Sequence, residues 1–180
     1  TNTGTGTYTF AGDGTLAVDT DGAGDEAIDN AGDMNFDGGS GTTVLINAGD
    51  GSADVTNSGS FALSADSTVS SNDTLAIDNT TGTVTVASGA TLDADSLTNS
   101  GGTSTVDGTV DGDLTNSGGT TTVNAGGAVT GAVTNSADLD LAGGTLGSLD
   151  NDTGGDVDVA GGTIDTVLDN AADLDVNSGT

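Results

Sequence analysis

The heptapeptide Leu97-Thr98-Asn99-Ser100-Gly101-Gly102-Thr103 returns seventeen residues later as Leu114-Thr115-Asn116-Ser117-Gly118-Gly119-Thr120. A degraded copy, Val133-Thr134-Asn135-Ser136, follows after another nineteen. Self-similarity at such a period is the mark of a stacked architecture, in which one short unit is laid on the next.

Working outward from this stretch, alternating apolar pairs recur along the whole chain. They are Tyr8/Phe10, Met34/Phe36, Phe61/Leu63, Val84/Val86, Leu139/Leu141, Val157/Val159 and Leu174/Val176, with the weaker Ser104/Val106 and Thr121/Val123 filling the gap. Period-two alternation is a strand signal that puts both apolar side chains on one face. After most pairs comes Gly or Asp-Gly punctuation, and then a second apolar position: Leu16, Val44, Val69, Leu92, Val110, Val129, Leu146 and Ile164. A third closes each unit, with an Asn two residues on: Ile28/Asn30, Val55/Asn57, Ile77/Asn79, Leu97/Asn99, Leu114/Asn116, Val133/Asn135, Leu149/Asn151 and Leu168/Asn170.

Three short strands per unit, in constant order, predict an all-β fold: a single three-sided parallel β-solenoid over residues 1–180. About nine coils of 16–27 residues are expected. Each strand is too short to hold a sheet edge alone, and stacking pairs every backbone with the coil above and below. Right-handed winding is the default for parallel crossovers. At ~4.8 Å per coil the rod would be about 43 Å long. No stretch carries the 3.6-residue period of a helix.

Residues 75–180 form short regular coils, whereas residues 1–74 form longer, looser ones. The extra length falls in polar loops around residues 19–26, 37–43 and 49–54, and loops added to a solenoid collect on its rim. The few aromatics, Tyr8, Phe10, Phe36 and Phe61, fall in this part. They predict a wider core there.

The eight asparagines, Asn30, Asn57, Asn79, Asn99, Asn116, Asn135, Asn151 and Asn170, admit two readings. On an unbroken strand each points inward like the apolar residue two before it. Stacked amides would then bond to one another up the axis. Alternatively, each Asn ends its strand in the left-handed conformation.

Composition limits the chemistry. The chain has no Lys, Arg, His, Cys, Pro, Trp or Gln, and carries 27 Asp, one Glu (Glu26), 32 Gly and a formal charge of −28. No internal side-chain salt bridge can form, and like charges repel throughout. Nucleic acid and anionic membranes are poor partners. Acidic, aromatic-poor composition also suits disorder, but the apolar residues are ordered by period. Nucleophilic sets built on His, Cys or Lys are impossible. Paired carboxylates remain as candidates for glycoside chemistry, without the aromatic groove that sugars stack in. No enzyme is expected. No secretory signal or membrane-spanning run is present, and the ends read as those of a mature or excised piece, or of a subunit that joins copies of itself. Absence of Cys fits a secreted bacterial protein.

One acidic pattern stands out. Asp138-Leu139-Asp140, Asp156-Val157-Asp158 and Asp173-Leu174-Asp175 occupy corresponding positions. With the apolar residue inward, all six Asp face solvent on one sheet. Carboxylates 5 Å apart repel by ~0.8 kcal/mol even at the dielectric constant of water. Weakly bound Ca²⁺ between them is one reading; a solvated acidic face is the other. No other cofactor is expected. On the same sheet, Thr83-Val84-Thr85, Thr103-Ser104-Thr105 and Thr120-Thr121-Thr122 form a Thr-x-Thr ladder. It reads as an ice-binding face or simply as good outward-facing strand residues. The stretch Gly38-Gly39-Ser40-Gly41-Thr42-Thr43-Val44-Leu45 comes nearest the calcium-binding nonapeptide. It has Thr43 where the ligand Asp belongs, and it does not repeat.

The coil Asn116-Ser117-Gly118-Gly119-Thr120-Thr121-Thr122-Val123-Asn124-Ala125-Gly126-Gly127 resembles passenger-domain repeats of bacterial autotransporter adhesins of the AIDA/haemagglutinin type, and large Asp/Thr-rich surface adhesins of marine bacteria. The resemblance covers most of residues 75–180. It implies export to the cell surface, an extracellular rod, and adhesion to a surface glycan or host surface, or self-association. End-to-end self-association is also expected from the open edges of an uncapped solenoid. The alternative is a calcium- or glycan-binding surface module working through the N-terminal loops.

Overall fold

The computed structural model describes residues 1, 6–12, 14–17, 26–37, 43–47, 52–72 and 74–179. Among them there is no helix; every regular element is a strand, and every strand pairing is parallel. The chain is a β-solenoid with three stacked faces.

The first face stacks Thr7–Phe10, Asp33–Phe36, Ser60–Leu63 and Thr83–Val86, then residues 103–106, 120–123, 138–141, 156–159 and 173–176. Its register sets Tyr8, Met34, Phe61, Val84, Ser104, Thr121, Leu139, Val157 and Leu174 over one another, as the alternation predicts. The second face aligns Val44, Val69, Leu92, Val110, Val129, Leu146 and Ile164. The third aligns Ile28, Val55, Ile77, Leu97, Leu114, Val133 and Leu149.

Two expected column members fall elsewhere. Leu16 pairs with Ile46, while Val44 pairs with Gly14, so the long first coil enters the second face two residues out of step. On the third face Leu149 pairs with Val167, and a register irregularity precedes the Asp150–Asp169 pair. Leu168 therefore leaves the column and is 62% exposed.

The continuous core runs from Ile28 to Val159 and encloses about seven turns, fewer than the nine expected. A terminal coil has a neighbour on one side only. It counts as a strand on the first face without closing a core. Tyr8 shows the same effect: expected inside, it is exposed, whereas Phe36 and Phe61, one and two coils in, are fully buried. Phe10 and Phe36 stack with ring centroids 5.0 Å apart, and Phe61 lies tilted against Phe36 at 5.1 Å. Most of the polar N-terminal loops expected on the rim, at 18–25, 38–42 and 48–51, lie outside the described residues, as does most of the nonapeptide-like stretch.

Seven of the eight asparagines settle on the inward reading, while Asn170, on the last coil, is exposed and only receives the ladder's final bond. Asn30, Asn57, Asn79, Asn99, Asn116, Asn135 and Asn151 are buried. None is left-handed; among the described residues only Asp66 has positive φ without being Gly. Each Nδ2 donates to the next Oδ1 in a single direction: Asn30 to Asn57 at 2.8 Å, Asn57 to Asn79 at 2.9 Å, Asn79 to Asn99 at 3.0 Å, Asn99 to Asn116 at 3.1 Å, Asn116 to Asn135 at 2.8 Å, Asn135 to Asn151 at 3.0 Å and Asn151 to Asn170 at 2.9 Å. The same nitrogens also donate to the carbonyl that opens the first-face strand of the next coil, at Ser60, Thr83, Thr103, Thr120, Asp138, Asp156 and Asp173. Both amide hydrogens are thus used, and the corner between the third and first faces is tied to the coil that follows.

In most coils a glycine sits at that corner, where a side chain would have no room; Ala137 and Ala172 take the place in two later coils. A Cβ at Gly102 would run into the Gly82 carbonyl oxygen and stand 2.6 Å from Asn79 Nδ2. Gly82 stands in the same relation to the Gly59 carbonyl and to Asn57 Nδ2. Where polar residues replace apolar ones in the first column, Thr121 enters the ladder: its Oγ1 accepts from Asn99 Nδ2 at 3.2 Å and donates to Asn116 Oδ1 at 3.1 Å. Ser104, one coil before, has the one buried side-chain oxygen without a partner among the described residues.

Asn116→Ala should remove the ladder donor to Asn135 Oδ1, which keeps only the long Ala137 N–H contact, and the donor to the Asp138 carbonyl, and should take from Thr121 Oγ1 its acceptor, at about 1–3 kcal/mol for each buried polar group left unpaired. Denaturant unfolding should therefore show a loss of about 3 kcal/mol, against a change within about 0.5 kcal/mol for the exposed neighbour Ser117→Ala. Equal effects would mean that the amide column does not carry stability.

Candidate functional site

On the first face, the residues flanking each buried pair point to solvent and form two outward rows. One row reads Thr83, Thr103, Thr120, Asp138, Asp156, Asp173; the other reads Thr85, Thr105, Thr122, Asp140, Asp158, Asp175. The six predicted Asp are brought together in direct register, because Leu139, Leu141, Val157 and Val159 between them are buried. The Thr ladder joins this acidic patch without a break in register. At the seam Thr120 Oγ1 donates to Asp138 Oδ2 at 3.2 Å.

Crowding like charges shifts their titration. The Asp140 carboxyl is held above its ordinary value, first by partial burial and then by Asp138, Asp158 and Asp156. The Asp156 carboxyl, although exposed, is raised as well, by loss of water on the crowded face and then by Asp158, Asp173, Asp138 and Asp175. These oxygens lie in paired rows. Among the described residues no three acidic side chains converge closely enough to hold a metal ion.

A second acidic feature was not legible as a unit in the sequence. The corner between the second and third faces carries a shallow groove of about 410 Å³ lined in part by Asp93, Asp95, Asp111 and Asp113. Here the backbone register slips, between Asp93 and Ser96 and again between Val129 and Ala132. Side chains supply acceptors where the ladder is interrupted. Asp95 Oδ2 accepts from the Leu75 N–H and Asp113 Oδ1 from the Ala132 N–H, both at 2.8 Å. Asp111 Oδ1 accepts from Thr130 Oγ1 at 2.6 Å. These carboxylates serve the fold.

Among the described residues no helix is long and apolar enough to cross a membrane. Comparison with family models, curated proteins and solved structures returned no match.

The raised carboxyls fix the sign of a pH effect. A folded-state value above the unfolded one means that the folded rod binds the proton more tightly. The contribution is full below the ordinary value of 3.8 and is lost as pH rises through the raised values. Stability at constant ionic strength should fall as pH climbs from about 3.8, and Asp156→Asn should flatten that fall. Urea midpoints across the window check both; a midpoint that climbs with pH and ignores Asp156→Asn contradicts the repulsion.

Proposed function

We propose that the chain is an extracellular structural or adhesive rod, a segment of a cell-surface adhesin or the subunit of a head-to-tail filament. The observation that carries this reading is the unbroken axial ladder of Asn30 through Asn170. It commits the interior to rigid stacking and leaves the side chains of the three outer faces for contact with other surfaces. The likeness of residues 116–127 to autotransporter passenger repeats points the same way. The absence of His, Cys, Lys and Arg leaves few routes to catalysis, and the reading includes no enzymatic role.

Display on the outside of a heterologous bacterium tests it. Cells carrying the chain on a membrane anchor should adhere to host-cell or glycan-coated surfaces, or to one another, several-fold more than cells carrying a globular acidic control of equal charge. Adhesion no better than the control would contradict the reading.

The in-register carboxylate rows favour a second reading, a surface module that takes up Ca²⁺ between coils. Paired oxygens on successive strands suit a hard divalent cation bound weakly and repeatedly. Millimolar Ca²⁺ should then raise the melting temperature well beyond Na⁺ at equal ionic strength. The difference should vanish in Asp138→Asn/Asp156→Asn/Asp173→Asn. Equal effects of the two salts would leave only a screened acidic face.

A further inference from the structure

Two hydroxyl residues interrupt the apolar lining of the first face. Its inward column holds Phe61 and Val84 before them and Leu139 and Val157 after them, all buried. Between stand Ser104 and Thr121, in register and just as buried. Ser104 Oγ finds no partner among the described residues. A hydroxyl taken out of water without a replacement bond works against the closed state.

Thr121 finds partners, but it shares them with the ladder. Asn99 Nδ2 has two hydrogens and faces four acceptors: the Thr120 carbonyl at 3.0 Å, Asn116 Oδ1 at 3.1 Å, Thr121 Oγ1 at 3.2 Å and the Gly102 carbonyl at 3.3 Å. The axial bond from Asn99 to Asn116 is therefore divided. The other two faces of the same coils carry no such weakness. Leu92 and Val110 line the second face there, Leu97 and Leu114 the third, and all four are fully buried. One side of the axis is soft at this level and the other two are firm.

We propose that the rod has a directional hinge between residues 103–106 and 120–123. The first face parts there, both hydroxyls reach water, and the second and third faces hold, so the rod bends away from the first face. In a stack where each coil touches only its neighbours, opening begins at the weakest interface, and that interface can lie in the interior. The bend separates the outward pair Thr103/Thr105 from Thr120/Thr122 and leaves the acidic rows from Asp138 onward on the C-terminal arm. It goes beyond the adhesive reading: it needs only the solenoid fold and holds whatever the rod contacts.

Two measurements on the full chain test it. The chain has no Cys, so paired substitutions carry spin labels without interference. Ser60→Cys/Asp156→Cys labels one outward row of the first face, and Thr56→Cys/Asp150→Cys labels one of the third. Each pair spans five coil steps, about 24 Å. The first-face pair should give the broader distance distribution, with a tail towards longer separations. Backbone hydrogen exchange, read by mass spectrometry after pepsin cleavage, should show 103–106 and 120–123 opening at least tenfold faster than the first-face strands on either side, 83–86 and 138–141. Val already fills this column at Val84 and Val157, so Ser104→Val/Thr121→Val should remain folded by circular dichroism. It should bring the two central strands to the rate of their neighbours and narrow the first-face distribution to the width of the third. Equal widths on the two faces would overturn the hinge. So would central strands that exchange no faster than their neighbours, or a folded double variant in which neither readout moves.

Discussion

Seven amide-to-amide hydrogen bonds, each passing from one coil to the next, set the conditions that the rest of the rod obeys. An amide has two donors and one acceptor oxygen, and here both hydrogens leave in the direction of the following coil. One goes to the next Asn and the other to the backbone carbonyl that opens the next strand of the first face. Slipping a coil by one residue would break both bonds and turn the apolar side chains outward. The column therefore fixes register where thin apolar columns alone would fix it weakly.

Much of the surrounding architecture follows. Beside Asn57 and Asn79 the corner lets two backbones approach within contact of the amide, and Gly82 and Gly102 allow it. Coil length, by contrast, is free to vary. Successive Asn lie 27, 22, 20, 17, 19, 16 and 19 residues apart, yet the ladder is continuous. Extra residues are carried between the paired segments rather than within them. A chain with no side-chain cation can hold this shape because its charges face outward, where water and salt screen them. The cost appears on the first face, where Asp140 and Asp156 hold their protons more tightly than usual.

The sequence made the three columns, the inward-facing residues of the first face and the stacked Asp rows legible, because each depends on spacing that recurs. Ile28, Val55 and Ile77 could be aligned through the Asn two residues beyond each. Leu16 and Leu168 were misplaced because register leaves no trace in spacing: Leu16 lies on a strand whose pairing is offset by two residues, and beside Leu168 the register slips. Tyr8 and the coil count went astray through the ends, since alternation marks a strand whether or not another coil covers it. The choice between a stacked and a left-handed Asn was open in one dimension, because both place Asn at the end of a short strand. The corner carboxylates Asp95 and Asp113 were hidden for a further reason: their partners, the N–H groups of Leu75 and Ala132, lie about a coil away in the chain. The glycine corner had a visible signal in the Asn-Ser-Gly-Gly repeat, which reads as a turn until the coil above is in place.

The most direct measurement of this account is side-chain amide hydrogen exchange by NMR. The NH₂ groups of Asn30, Asn57, Asn79, Asn99, Asn116, Asn135 and Asn151 should exchange as slowly as the core backbone amides around them. Exposed Asn177 should exchange as fast as a free amide. Seven interior amides exchanging at the rate of Asn177 would mean that no continuous column joins the coils.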